Sequence, residues 1–183
     1  WLKFFACFFD KESQADSIFN QIKYAYEDLE RKTLQVQSRP KVLINMPFNE
    51  QWHLPGGLSF SAQLIRDAGA FYPWESNQSK ESTPLDFEVV FKQAFDCDFW
   101  INAGVFSSYD QVLVTLPDMA LFNAFKNKQV FNNNARTNLN GGNDYWESGS
   151  LHVDEVLADL ISIFHPDLLP NHILKYYKPL VNE

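Results

Sequence analysis

Arg39-Pro40-Lys41-Val42-Leu43-Ile44-Asn45 carries the first clear change of period in this chain. Proline lacks the helical N–H and disfavours helix in the residue before it, so the helical pattern upstream must end there. The apolar triplet that follows, closed by Asn, reads as a short buried strand. Two further runs have the same form. Phe99-Trp100-Ile101 empties into Asn102-Ala103-Gly104, and Gln129-Val130-Phe131 empties into Asn132-Asn133-Asn134. Helical stretches separate them: Ser59 to Ala68, stopped by Gly69; Asp86, as a cap, to Phe95; and Ser108 to Phe125, interrupted at Pro117. A strongly amphipathic helix over Asp154 to Phe164 ends at His165-Pro166, and a short terminal helix is expected over Ile173 to Tyr177. The Ser-rich stretch from Trp74 to Pro84 reads as a long surface loop. This alternation predicts an α/β fold, a Rossmann-like unit with a central, mainly parallel sheet flanked by helices.

Upstream of Pro40, residues 1–33 read as helix with a break or kink near Asp10. Ile18, Ile22, Ala25 and Leu29 recur at spacings of four, three and four, an α-helical stripe. At 1.5 Å per residue the segment reaches roughly 45 Å, the span of a domain. It is either a brace across one domain or a strut between two. The chain opens on Trp1-Leu2-Lys3-Phe4-Phe5, with no Met and no cleavage site. An apolar opening of this kind leads us to expect that preceding sequence has been cut away.

The 183 residues include 15 Lys and Arg against 23 Asp and Glu, a formal charge of −8. A nucleic-acid binder needs a cationic face to displace condensed counterions, and no basic cluster occurs, so nucleic acid is set aside as a partner. No apolar run approaches the roughly 18 residues that cross a bilayer. A hydrophobic share of 45% rules out wholesale disorder. Aromatic residues reach 16%, and aromatic surface in excess of a core's needs marks a ligand cleft or a partner face.

Specific catalytic patterns are missing. There is no phosphate-binding glycine loop, no His-Glu-x-x-His and no Cys-x-x-Cys, so no catalytic residue and no metal site is assigned. Gly57-Leu58-Ser59-Phe60-Ser61 resembles a nucleophile elbow without its last Gly. It lies well past the strand it should terminate, and Ser59 reads as a helix N-cap. The four His are scattered, His165 reads as a helix-end residue, and Cys7 and Cys97 read as free small hydrophobes.

In open α/β sheets the ligand sits outside the carboxyl ends of the strands. Here those ends are Asn45 to Trp52, Asn102 to Phe106 and Asn132 to Trp146, and each combines Asn with aromatic residues. From Asn132 to Asn143 there are 6 Asn in 12 residues. Part of this is loop chemistry, because Asn tolerates left-handed backbone; Asn134 is kept as a candidate ligand contact. Arg136 is the only basic residue between Lys128 and Lys175, and it either clamps an oxyanion or forms a surface salt bridge. Asp144-Tyr145-Trp146-Glu147 is either a cleft wall or a loop anchor.

Taken in order, several motifs resemble one family. They are Trp1-Leu2-Lys3-Phe4 with Phe8-Phe9-Asp10-Lys11-Glu12, Arg39-Pro40-Lys41-Val42-Leu43, Trp52 with Pro55-Gly56-Gly57, and Leu64-Ile65-Arg66-Asp67-Ala68-Gly69. Pro84-Leu85-Asp86-Phe87-Glu88, Asp98-Phe99-Trp100-Ile101, Asn143-Asp144-Tyr145-Trp146-Glu147-Ser148-Gly149, and Leu157-Ala158-Asp159-Leu160 with His165-Pro166 complete the series. Together they resemble the class III periplasmic substrate-binding proteins of ABC importers, the branch that handles iron-siderophores, haem and cobalamin, over the second half of a member.

The resemblance implies two α/β lobes joined by a long helix, with ligand in the cleft between them. Residues 1–35 become the inter-lobe helical segment and residues 36–183 the C-terminal lobe, the N-terminal lobe being absent. It implies a ligand wall of Trp52, Trp74, Tyr145 and Trp146 with Asp144 near the ligand, and permease docking through Glu88, whose alternative role is a first-turn helix acid. The implied cargo is an organic metal complex, an iron-siderophore, haem or cobalamin, with no intrinsic cofactor. The implied partners are an ABC permease and its ATPase. A monomer is expected, periplasmic or exported to the cell surface, and held to the membrane only by a missing N-terminal lipid anchor. The alternatives are a ligand-sensing module for signalling and an α/β enzyme using Asp144 and Glu147 as paired carboxylates.

Overall fold

Two helices, α1 (Leu2–Ala6) and α2 (Glu12–Thr33), open the computed structural model, which describes residues 1–49 and 51–182. The break between them lies around Asp10, whose φ of 52° no right-handed helix accommodates. The elements that follow are β1 (Val42–Ile44), β2 (Pro47–Phe48), β3 (Gln51–Leu54), α3 (Phe60–Asp67), β4 (Thr83–Asp86) and α4 (Phe87–Ala94). Then come β5 (Phe99–Ile101), α5 (Tyr109–Thr115), α6 (Asn123–Lys126), β6 (Val130–Asn132), α7 (Val153–Phe164) and β7 (Lys178–Pro179). A 3-10 turn at Pro117–Leu121 separates α5 from α6, as the proline requires.

The main sheet has the order β1-β5-β6-β7. Its first three strands run parallel, with Leu43 opposite Trp100 and Trp100 opposite Val130; β7 joins antiparallel at the edge. Helices cover it, and α7 is the most deeply set, burying Val156, Leu157, Leu160, Ile161 and Phe164. The α/β expectation therefore stands. Ser59 caps α3, its Oγ accepting the Ala62 N–H at 3.2 Å, so the nucleophile-elbow resemblance has a structural explanation. Gly69 ends the turn after α3 at φ 75°, where an added Cβ would lie 2.9 Å from the His165 ring.

Helix α2 lies on this body through polar ties as well as its stripe. Tyr26 Oη donates to Asp67 Oδ2 at 2.6 Å, and Thr33 Oγ1 donates to the Asp67 carbonyl at 2.8 Å. Burial, reinforced by the Asp67 carboxylate, keeps Tyr26 a phenol well above its usual titration range. Toward its N-terminus the stripe leaves the core: Ile18 and Phe19 are exposed, as are Phe4, Phe5, Phe8 and Phe9.

Two segments differ from the sequence reading. Residues expected as loops form a small antiparallel sheet, β2-β3-β4, with Trp52 opposite Leu85 and Leu54 opposite Thr83. Two-residue β2 and the proline inside β4 hide the usual strand pattern. The expected helix over Ile173 to Tyr177 does not form. The backbone N–H groups of Lys175, Tyr176 and Tyr177 donate to the buried carboxylate of Asp159 at 2.7–3.0 Å instead of to carbonyls four residues back.

Candidate functional site

At the carboxyl ends of β1 and β5 the chain turns through two asparagines in left-handed conformation, Asn45 (φ 63°) and Asn102 (φ 57°). Asn enters this region at lower cost than most residues because its short amide bonds the nearby backbone. The Asn45 backbone N–H donates to the Ile101 carbonyl at 3.0 Å, and its Nδ2 donates to the His53 carbonyl at 2.9 Å. The Asn102 Oδ1 accepts the Tyr177 hydroxyl at 3.0 Å. At the end of β6, Asn132 Nδ2 donates to the Gly104 carbonyl at 2.6 Å and the Phe106 carbonyl at 2.9 Å, and its Oδ1 accepts the Asn133 N–H at 3.0 Å. The Asn45 backbone N–H and the Asn132 side-chain amide thus tie the three strand ends into one floor.

Above that floor lies a cleft of about 800 Å³. Asn45, Asn102, Asn133, Asn134 and Asn143 line it with Met46, Phe48, His53, Trp146 and Lys178. Two adjacent amides have buried atoms without a hydrogen-bond partner among the described residues, Asn133 Nδ2 and Asn134 Oδ1. Such atoms cost about 1–3 kcal/mol each when left unmet, so each favours a partner supplied by water or by a ligand group.

The expected site residues separate into groups. Asn134 and Trp146 line the cleft, and the Trp146 ring is 68% exposed. Tyr145 stands behind Trp146, edge to face at 4.9 Å, and packs in the same way on Tyr176 and Tyr177. Arg136 and Asp144 lie outside the lining and hold each other at 2.9 Å; Ser148 Oγ bridges Asp144 to the Tyr176 hydroxyl. The salt-bridge alternative for Arg136 is the arrangement observed. Trp52 is corrected: it is fully buried against Trp100 and Phe122, and its Nε1 donates to the Ile44 carbonyl at 3.0 Å. An indole with no exposed surface is part of the core. Trp74 is also apart from the cleft, half-buried beside Tyr72.

Glu88 occupies the first turn of α4, exposed, in a separate groove of about 720 Å³ with Asp86, Pro117 and Asp118. The β2-β3 hairpin divides the two hollows, Phe48 facing the cleft and Pro47 and Gln51 facing the Glu88 groove.

Desolvation raises the hydroxyls of Tyr145 and, more strongly, Tyr177, so both remain phenols at neutral pH, and the Tyr177 hydroxyl donates to Asn102 Oδ1. Among the described residues no group of three or more His, Cys, Asp or Glu is placed to hold a metal ion. The arrangement suits non-covalent capture of a ligand between aromatic faces and amides. Met46, His53, Asn133 and Lys178 were not singled out in the sequence. Asn133 carried a signal, its place in the Asn run directly after a strand; Lys178 carried none, because β7 pairing alone brings it to the cleft.

Known proteins share this architecture. The sequence profile of the periplasmic binding protein family matches residues 1–137. An uncharacterised lipoprotein of Methanocaldococcus jannaschii is 28% identical over 170 residues, covering 91% of this chain and 38% of its own length. A periplasmic solute-binding protein from Veillonella parvula superposes with a TM-score of 0.71 at 17% identity, over 94% of this chain and 51% of its own. IsdE of S. aureus complexed with haem gives 0.60 at 16% identity, covering 90% and 62%. An ABC-type Fe3+-hydroxamate transport protein from Saccharomonospora viridis gives 0.61 at 15%, covering 90% and 53%. At these identities the structural likenesses show the fold alone. The chain spans less than two thirds of the length of each of these proteins.

Proposed function

We infer a role from kinship: the chain belongs to the periplasmic binding protein family. We propose that it is the C-terminal lobe (residues 36–183), with the inter-lobe helical segment (residues 1–35), of a solute-binding protein serving an ABC importer. The cleft at the ends of β1, β5 and β6 then forms one wall of the ligand site, a second lobe forms the other, and the cargo is an organic metal complex. The observation that carries this reading is the cleft itself. Three parallel strands end together on an asparagine-tied floor, beside exposed Trp146 and Phe48, at the place where open α/β sheets hold ligands. Aromatic faces would stack on the flat or chelated ligand and amides would orient it, with no bond made or broken. The haem and hydroxamate names of the structural relatives support a metal complex.

Glu88 in its own groove is the proposed contact for an arginine of the permease, clear of the cleft. The lipoprotein name of the archaeal relative supports export with a lipid anchor. The exposed Phe4, Phe5, Phe8 and Phe9, and the apolar groove formed by Trp1, Ile18, Phe19, Ile22 and Phe60, are surface the other lobe would cover. An enzyme using Asp144 and Glu147 finds less support, since Asp144 is already engaged by Arg136 and Ser148.

The test is equilibrium titration of the two-lobed protein, followed by tryptophan fluorescence, with three probes: a neutral ferric trihydroxamate, haem and cobalamin. Saturable binding of one, much weaker to this chain alone, is expected. Failure of all three to bind the two-lobed protein would sink the proposal.

A further inference from the structure

We propose that the corner of the cleft between β6 and β7 is an oxyanion subsite, built from the Lys178 ammonium and the Asn133 amide, that takes a carboxylate or phenolate oxygen of the ligand. The proposal rests on the reading of the cleft as the ligand site and adds the chemistry of one of its ends.

Three independent observations meet there. The chain carries a formal charge of −8, yet no Asp or Glu lines the cleft among the described residues. Among the described lining residues Lys178 alone contributes a formal charge at pH 7, so the local sign is opposite to that of the whole molecule. Second, Lys178 has no carboxylate within 4.0 Å among the described residues, although Lys175, three positions earlier, pairs with Glu155. The side chain is half-buried and forms no ion pair among the described residues. Third, Asn133, next to Asn132, the residue that faces Lys178 across the β6-β7 ladder, is 5% exposed and its Nδ2 has no acceptor among the described residues. The terminal amide torsion of Asn is broad and nearly two-fold, so rotation about it can present the amino group to an incoming oxygen.

A cation and an unmet N–H donor lining one end of the same cleft call for the same thing, an oxygen with negative charge. Charge-assisted hydrogen bonds are roughly twice as strong as neutral ones. A neutral amide oxygen would satisfy Asn133 but leave the Lys178 charge unanswered. The apolar half of the ligand would lie toward Phe48 and Trp146, across the same hollow.

The subsite can be tested without knowing the cargo. Acetate and its neutral counterpart acetamide are titrated into the folded chain at constant ionic strength, with side-chain amide resonances followed by NMR. Acetate should shift the Asn133 and Asn134 amide signals saturably, and acetamide should not. Lys178→Met, which keeps the aliphatic stem, should weaken acetate by about tenfold, the scale of one charge-assisted contact. Lys178→Arg should retain most of the affinity. Asn133→Asp should abolish the response by placing a carboxylate in the subsite. Equal shifts with acetamide, no saturable shift with acetate, or an unchanged response in Lys178→Met would overturn the subsite. The wider cleft reading is judged separately: binding of the neutral ferric trihydroxamate by the two-lobed protein, without any acetate response here, would leave that reading standing and remove this one.

Discussion

Asp159 is fully buried, and its carboxylate accepts the N–H groups of Lys175, Tyr176 and Tyr177 while His172 Nε2 lies 2.6 Å from Oδ1. The segment it holds carries Tyr177, which fixes Asn102, and Tyr176, which reaches Ser148 and through it the Asp144–Arg136 pair. Asp159→Ala would leave three backbone donors without their acceptor, those of Tyr176 and Tyr177 buried and that of Lys175 partly so, each buried one costing about 1–3 kcal/mol unless water enters. Partial hydration lowers the total, and removing one member of a buried charged network typically costs about 3–5 kcal/mol. For a chain of this size each kcal/mol moves Tm by about 2–4 °C, so a fall of roughly 6–20 °C is expected. His172→Ala leaves the three backbone bonds intact and should cost only about 1 kcal/mol. Thermal unfolding by circular dichroism measures the first quantity. Hydrogen exchange at Lys175, Tyr176 and Tyr177 reports the local one, and these amides should exchange much faster in Asp159→Ala but not in His172→Ala. Protected amides in Asp159→Ala, or a Tm within 2 °C of wild type on the same scale, would refute the idea that this carboxylate holds the cleft wall.

Trp146→Ala in the two-lobed protein should weaken cargo binding by roughly 1–3 kcal/mol while sparing stability, whereas Trp52→Ala should destabilise by about 3–5 kcal/mol; paired titrations and melts tell a cleft face from a core anchor. Glu88→Ala should leave cargo affinity intact and slow uptake in vesicles containing the permease, an effect that added salt partly mimics; equal uptake at matched loading would remove Glu88 from the docking surface. Burial pushes the Cys97 thiol up to about 12, with the flanking Asp96 and Asp98 adding to the rise. The folded chain should therefore expose one reactive thiol, Cys7, to a disulfide reagent near pH 8, with Cys97 reacting only on unfolding. Because an unfolded cysteine ionises near pH 8.5 while the native one stays protonated, the contribution of Cys97 to stability should fall above that pH by at most about 1.4 kcal/mol per unit. A Cys97→Ala variant with the same pH slope would contradict this.

Much of this molecule was legible because its signals are local. Val42-Leu43-Ile44 and Phe99-Trp100-Ile101 are apolar on both faces and bounded by turn residues, so strand and parallel sheet followed from sequence. Ser59, Pro117 and Asp10 mark a cap and two breaks through backbone chemistry that acts within a few residues. The gathering of Asn at the strand ends was visible for the same reason, and so was Trp146 beside them. What depended on distant partners was not. Trp52 and Trp146 are the same residue type in similar loop-like contexts, yet one pairs with Trp100 and Phe122 inside the core and the other faces solvent. Residues 173–177 carry an apolar, helix-compatible pattern, and only the arrival of Asp159 from α7 diverts their N–H groups from a helical ladder. Arg136 had a choice between a ligand and a carboxylate eight residues on, and the turn closed by the Thr137–Asn143 bridge brings Asp144 to it. Lys178 reaches the cleft solely because β7 pairs antiparallel with β6. Hydrophobic period and turn chemistry act along the chain and fix which elements form; burial, ion pairing and strand register act across it, and they decide which side chains meet.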